Sequence, residues 1–257
     1  MYAIVTAGGI PQPNEPLYPF TQGISKSLLD IHGKPMIQWV IDALDGSHTI
    51  QGILVVGLDA NSGVTSQKPL HFMKNQGSML ENMIGGIHRV LEIDPSIKHV
   101  LMASSDVPGI KAEMVDWVIN TAMQTDDDLY YNVIERAVME KRYPGSRRSF
   151  TYLKGAVVCG GDVNVVRTIT VDKDGIWKEL VEGRKNVFRQ ASAIGWDVLF
   201  LLLLRQITID EAVKRIGKRV GLKGRAVICP YAEVGMDVDK PFQLEIMRAD
   251  LAPKAPA

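Results

Sequence analysis

The sequence predicts an α/β protein built on a single, mostly parallel central sheet with helices on both faces, with a helical insertion in the second half. Three observations predict it. Short apolar, β-branched runs alternate with longer segments of helical periodicity in the order β-α-β-α-β-α-β over the first half. Glycine, proline or aspartate punctuates the end of several of these runs. Past residue 150 the alternation gives way to short strands and helices of less regular spacing.

The elements follow in order. Tyr2–Thr6 is apolar and stops at Ala7-Gly8-Gly9, a buried strand entering a tight loop. Residues 10–24 hold Pro11, Pro13, Pro16 and Pro19 with little periodicity, which predicts a long loop, and loops of that length in compact domains tend to be functional. Leu28–Ile31 is a short extended piece. After Gly33-Lys34-Pro35 a helix opens, with Met36, Ile37, Val40, Ile41 and Leu44 at helical spacing. Ile53–Val56 is a second strand, Ser78–Leu91 an amphipathic helix, His99–Ala103 a third strand, Lys111–Met123 a helix, and Asp128–Val133 a fourth strand. Phe150–Leu153 and Ala156–Val158 read as strands about a turn at Lys154-Gly155. Short helices are expected between Gly161 and Arg219, among them a buried one at Val198–Leu204. A late strand is expected at Arg225–Ile228 and a final helix over Pro241–Asp250. Residues 1–251 are expected to form one domain, with a nucleotide-binding half over 1–125 and an acceptor half over 126–251. Residues 252–257 are expected to be a flexible tail.

Bulk properties narrow the classes of function. In 257 residues, 29 basic side chains balance 29 acidic ones, so no global field recruits nucleic acid or an anionic membrane. The run Val198–Leu204 is far below the roughly 20 residues needed to span a bilayer. Cys159 and Cys229 have neither metal-ligand spacing nor a disulfide framework. With no signal-peptide pattern at Met1–Gly9, a cytoplasmic location is expected, with neither membrane nor nucleic acid as partner.

Several segments carry chemistry. Gly8 and Gly9 let backbone N–H groups approach an anion, although the pair is equally a plain tight turn. Lys26 is a flexible point charge suited to phosphate, and Lys34 reads as a solvated helix-start residue. Asn75-Gln76-Gly77-Ser78 stands at a helix start, where the Gly77 and Ser78 amides could meet a base edge or an anion, or Ser78 could be only an N-cap. Gln76 and Asn82 have the side chains best suited to hydrogen-bond a base. Asp106 follows a central strand where open α/β sheets bind ligands, and a carboxylate there can hold Mg²⁺; it can also be a turn former. Asp237 and Asp239 point to the same side if extended, and Pro241 opens the following helix. Gly160 and Gly161 permit close approach of a substrate, with Asn164 beside them. Arg184, Lys185 and Arg189 could meet an anionic acceptor or be ordinary exposed charge. Asp126-Asp127-Asp128 reads as a solvated turn.

Thr6-Ala7-Gly8-Gly9, Ser25-Lys26-Ser27-Leu28-Leu29 and Gly33-Lys34-Pro35-Met36-Ile37, in that order, resemble the nucleotidyltransferase superfamily. It includes the sugar-phosphate nucleotidylyltransferases and the molybdopterin nucleotidyltransferases. Its pattern is strand-LAGG, a Gly/Arg loop, PKxLL and GKPMI. The resemblance implies a Rossmann-like nucleotide-diphospho-sugar transferase fold. It also implies Mg²⁺-dependent transfer of a nucleoside monophosphate from an NTP to a small-molecule acceptor, releasing pyrophosphate. Ala7, Gly8, Gly9, Lys26, Gln76, Gly77 and Ser78 would bind the nucleotide, and Lys26 and Asp106 would be catalytic. Asp106 and Asp239, with Asp237 close by, would hold the metal; Gly160, Gly161, Asn164 and Lys154 would face the acceptor. The chain departs from the pattern at Ser25, where the family has proline, and has no arginine between Gly9 and Lys26. Lys26 is therefore expected to carry more of the triphosphate's charge, with a second-half base such as Lys154 or Arg148. Two rival readings are an A-type-fold glycosyltransferase, which would place a D-x-D where this chain has Ser104-Ser105-Asp106, and a nucleotide-binding regulatory domain without turnover.

Overall fold

In a computed structural model that describes residues 1–173 and 195–253, one nine-stranded sheet runs through both halves of the chain. Its strands are β1 (Tyr2–Thr6), β4 (Gly52–Val56), β5 (Leu70–Met73), β6 (His99–Ser104), β7 (Leu129–Glu135), β8 (Thr151–Leu153), β9 (Ala156–Gly160), β10 (Val163–Arg167) and β11 (Gly224–Ile228). A separate two-stranded ribbon pairs β2 (Asp30–Ile31) with β3 (Lys34–Pro35). Strands β5, β4, β1 and β6 are parallel neighbours in that order. β10 then runs antiparallel between β6 and β7, β9 lies antiparallel on β7 and β8 on β9, and β11 adds to β7 in parallel. The α/β architecture with a mostly parallel sheet is as expected.

Strand β1 shows why helices cover both faces. Its side chains alternate: Ala3 and Val5 enter one core with helices α2 (Met36–Gly46) and α4 (Ala112–Ala122), while Tyr2 and Ile4 enter another with α3 (Met79–Ile93). A strand buried on both sides needs a continuous apolar run, and β4 (Gly-Ile-Leu-Val-Val) is buried at every position. Each fully buried Val, Leu or Ile contributes about 1.5–3 kcal/mol of transfer free energy. Helix α3 begins at a capping box, with Ser78 Oγ accepting from the Glu81 amide and Glu81 reaching back to the Ser78 amide.

Three features of the second half differ from expectation. Val163–Arg167 lies where short helices were expected, and it is strand β10; Val165 and Val166 are buried between β6 and β7, where β-branched side chains pack well on a pleated surface. The apolar run expected as a buried helix forms α6 (Trp196–Leu203), but only Val198 in it is buried, while Trp196, Phe200 and Leu203 are 59–78% exposed. Its apolar residues surround the whole helix, and it touches the neighbouring α7 (Ile209–Val220). The Asp126–Asp128 turn is ion-paired, with Arg167 bonding Asp126 and Asp128 and Arg225 bonding Asp127. Further elements were not anticipated, among them the one-turn helix α1 (Tyr18–Thr21) within the expected 10–24 loop, β5, a half-exposed edge strand carrying His71, and the seven-residue α5 (Arg136–Arg142). The last helix, α8 (Pro241–Asp250), opens at Pro241. Residues 254–257, in the expected tail, lie outside the described residues.

Candidate active site

The carboxyl ends of β1 and β6 lie side by side, Thr6 opposite Ser104, and the chain leaves β1 into Ala7-Gly8-Gly9. The loop is tightly fixed. The Ala7 amide continues the ladder to Val56 O at 2.7 Å. Beneath it Gly57 has φ +107°, and a Cβ there would stand 2.4 Å from both N and Cα of Gly8, so backbone packs on backbone. Ser25 does locally what the family's proline cannot. Its hydroxyl donates to Ala7 O at 2.8 Å and accepts the Ser27 amide, capping the short 3-10 turn Lys26–Leu28. Ser27 Oγ then meets Ser105 Oγ at 2.8 Å, tying the loop to the end of β6.

This scaffold brings together three side chains that are 80 and 133 residues apart in sequence. Lys26 Nζ lies 2.5 Å from Asp106 Oδ2 and 2.5 Å from Asp239 Oδ1. Val238 N donates to Asp106 O at 2.9 Å, which clips the C-terminal carboxylate segment onto the β6 loop. Burial alone would lower the pKa of the Lys26 amine; attraction and hydrogen bonds from Asp106 and Asp239 outweigh it and hold the amine well above the ordinary lysine value. Asp106 Oδ1 is buried with no hydrogen-bond partner among the described residues.

A second charged group adjoins the first. Asp237 pairs with Arg148, so the two carboxylates of Asp237-Val238-Asp239 serve different cations. Arg148 Nη2 also lies 3.7 Å from Asp162 Oδ2 and 3.5 Å from Gly160 O. Asp162 N bonds Val234 O, and Asp162 O accepts the Ser104 amide at 2.9 Å, placing this residue beside the end of β6. Burial, then repulsion from Asp106, partly offset by Arg148, push the Asp162 carboxyl up to about 7. Sequence reasoning passed over Asp162; a Gly-Gly-Asp run just after the expected strand Ala156–Val158 was the available signal. Of the two bases expected to support Lys26, Arg148 is at this cluster. Lys154 is exposed on the β8–β9 turn, where its amide bonds Ile207 O.

The other expected residues have partners of their own in the structure. The Gly77 amide donates to Asn75 Oδ1 at 2.9 Å and the Ser78 amide to Glu81 Oε2 at 2.7 Å, so these donors serve the turn itself. Asn82 is buried and turns inward, accepting the Gln76 amide at 2.7 Å and donating to Asn75 Oδ1 at 3.0 Å. Gln76 is exposed and its side-chain nitrogen bonds Lys74 O. Gly160 and Gly161 are explained by packing rather than by open space: a Cβ would meet Tyr131 Oη at 2.1 Å or Asn132 O at 3.0 Å. Asn164 supports the kink there, bonding Gly161 O and the Asn132 amide. Lys34 pairs with Asp42 and stacks over Trp39, in keeping with a surface role. Arg184, Lys185 and Arg189 lie outside the described residues. No helix among the described residues is long and apolar enough to cross a membrane.

Comparison with known proteins places this arrangement in context. No protein of curated function matches the chain. A hypothetical transferase from Thermus thermophilus is 30% identical with a TM-score of 0.82, over 95% of this chain and 98% of that one. CMP:2-keto-3-deoxy-manno-octonic acid synthetase complexed with CTP superposes with a TM-score of 0.57 at 15% identity, over 98% of each chain. The 4-diphosphocytidyl-2C-methyl-D-erythritol synthase of Anaerococcus prevotii does so at 0.59 and 10%, over 98% of this chain and 96% of that one. These last two share the fold, that of nucleotide-diphospho-sugar transferases. In sequence, residues 19–163, more than half of the chain, match the MobA-like NTP transferase domain, and the chain belongs to that nucleotidyltransferase family.

Proposed function

We propose that the protein is an Mg²⁺-dependent nucleotidyltransferase that moves a nucleoside monophosphate from an NTP to a small-molecule acceptor and releases pyrophosphate. One observation carries this reading: the Lys26 ammonium is held between Asp106 and Asp239 at the ends of β1 and β6. A cation already bridges these two carboxylates, and Asp106 retains an unpartnered buried oxygen, so the donor set suits a divalent ion. Among the described residues no three His, Cys, Asp or Glu side chains form a metal cage. That fits Mg²⁺, which takes one or two protein carboxylates and completes its octahedron with phosphate oxygens and water. Asp106 and Asp239 would hold it, and when bound it neutralises charge on the leaving pyrophosphate.

The chain's own work is positioning and charge balance. The Gly8-Gly9 backbone receives the triphosphate, with Ala7 anchored below it. Lys26 would turn its ammonium to the α-phosphate and offset charge there during in-line attack by the acceptor's phosphate or hydroxyl, with pyrophosphate as the leaving group. Arg148 takes the duty that relatives give to a loop arginine. The turn Asn75–Ser78 borders the base. No covalent intermediate is required. The test is a pyrophosphate-release assay across the four NTPs and a panel of phosphorylated and hydroxylic acceptors, with and without Mg²⁺. Metal-dependent pyrophosphate release that requires an acceptor is the expected result. NTP binding with no release for any acceptor would support the regulatory reading instead, and release of a nucleoside diphosphate from a sugar nucleotide would support the glycosyltransferase.

A further inference from the structure

The two cations of the site are held in matching ways. Lys26 bridges Asp106, just past the end of β6, and Asp239 of the C-terminal Asp-Val-Asp run. Arg148 bridges Asp162, in the kink between β9 and β10, and Asp237 of the same run. The two contacts of Arg148 are unequal. It bonds Asp237 directly, whereas Asp162 Oδ2 lies 3.7 Å from Nη2 and has no hydrogen-bond partner among the described residues. At that distance the Asp162 carboxylate acts on the guanidinium by charge.

The structural work of residue 162 is done by its backbone. Its amide donates to Val234 O at 2.8 Å and its carbonyl accepts the Ser104 amide at 2.9 Å, bonds that other residues with an N–H can make. The carboxyl itself stands near that of Asp106, which repels it. A side chain that opposes stability, on a backbone that needs none of it, points to function. The same bonds close a ring. Ser104 is two residues before Asp106, Val238 N bonds Asp106 O, and Asp237 precedes Val238, so both carboxylates that hold Arg148 are fixed beside the Lys26 group. The Arg148 side chain is 15% exposed, and Asp237, Gly160 O and Cys159 do not use up the five N–H donors of a guanidinium. Donors remain for a phosphate.

We infer that Asp162 is a positioning residue, whose charge keeps Arg148 from closing on Asp237 alone and holds it toward the triphosphate. The inference rests on the triphosphate lying at this site, as in the transfer reading above.

The experiment is a double-mutant cycle of Asp162→Asn and Arg148→Gln at pH 8, where Asp162 is ionised. Calorimetry with Mg²⁺ gives Kd for the NTP, of the four, that the wild-type chain binds most tightly, and for its nucleoside monophosphate. Pyrophosphate release gives kcat and KM. Removing a carboxylate from beside phosphates would by itself tighten binding. Asp162→Asn is expected to do the reverse, raising Kd and KM for the NTP about tenfold with kcat changed much less. In the Arg148→Gln background the same change leaves Kd equal or lower. Should Arg148→Gln fail to fold, the monophosphate decides: Asp162→Asn weakens NTP binding and leaves monophosphate binding within about twofold, because Arg148 serves the outer phosphates.

Tighter or unchanged NTP binding by Asp162→Asn overturns the inference and leaves nucleotidyl transfer standing. So does equal weakening in both backgrounds, or equal weakening for NTP and monophosphate, since Asp162 would then act apart from Arg148. The expected pattern in Kd without pyrophosphate release for any acceptor sustains the inference and overturns the transfer reading. Absence of binding by all four NTPs overturns both.

Discussion

Lys26 and Asp106 form an ion pair of 2.5 Å across a separation of 80 residues, where the end of β6 meets the turn that follows the first long loop. Asp106 is almost fully buried, so its carboxylate depends on that ammonium. Lys26→Ala should reduce turnover by about 10²–10³, as expected for loss of one electrostatic stabiliser. It should also destabilise the fold by about 1–3 kcal/mol, because two carboxylates then face each other without a cation. Added Mg²⁺ should raise the melting temperature of this variant more than that of the wild type. Near-wild-type turnover would end the catalytic assignment.

The carboxylates of Asp237 and Asp239, two residues apart, should separate in a paired experiment. Asp239 has a side chain 56% exposed and faces Lys26, whereas Asp237 is buried against Arg148. Asp239→Asn should lower turnover about 10²-fold with stability changed by roughly 0.5 kcal/mol or less. Asp237→Asn should cost about 1–3 kcal/mol, since it leaves a buried guanidinium underpaired. Urea melts and initial rates on both variants check this, and the reverse pattern would exchange their roles.

Gly57 should tolerate no side chain. At φ +107° with Gly8 backbone 2.4 Å from the Cβ position, Gly57→Ala meets both backbone strain and a contact that no rotamer can relieve. A loss of about 2–3 kcal/mol is expected in denaturant unfolding, together with weaker NTP binding as Gly8 is displaced. Stability within 0.5 kcal/mol of wild type, by ~ the usual surface-substitution range, would show that the loop moves freely.

Asp162 should give the fold a distinct pH dependence. Its folded-state pKa, pushed up to about 7 by burial first and Asp106 second, exceeds the ordinary 3.8. The folded state thus holds the proton more tightly. This group's contribution is most favourable near pH 4, declines as pH rises through the interval between the two values, and stays low above it. Asp162→Asn should leave stability near pH 4 almost unchanged and raise it by about 1–2 kcal/mol at pH 8, a figure discounted because solvent screens a side chain one-third exposed. Melts across that range check it, and an equal gain at both ends would mean that the charge is not the cause.

Much of the site was legible because its pieces are local. Strand-Gly-Gly, the lysine turn and the strand-end aspartate each belong to one short segment whose chemistry follows from residue type and position. Asn75 and Asp162 were harder to read. An asparagine before a helix has several ordinary uses, and only the approach of Gly8 shows which one applies. Asp162 stands in a kink whose importance comes from β6 passing beside it.

The sequence by itself determined the period-2 and period-3.6 patterns, and with them the α/β class, the first parallel strands and the capped helices, because burial of an apolar face is a local demand on each element. Tertiary structure decided that β10 inserts antiparallel between β6 and β7, that α6 leaves Trp196, Phe200 and Leu203 exposed, and that Asp237 and Asp239 pair with different cations. Those outcomes depend on which distant segments come within a few ångströms of each other, and hydrogen bonds and ion pairs act only over that range.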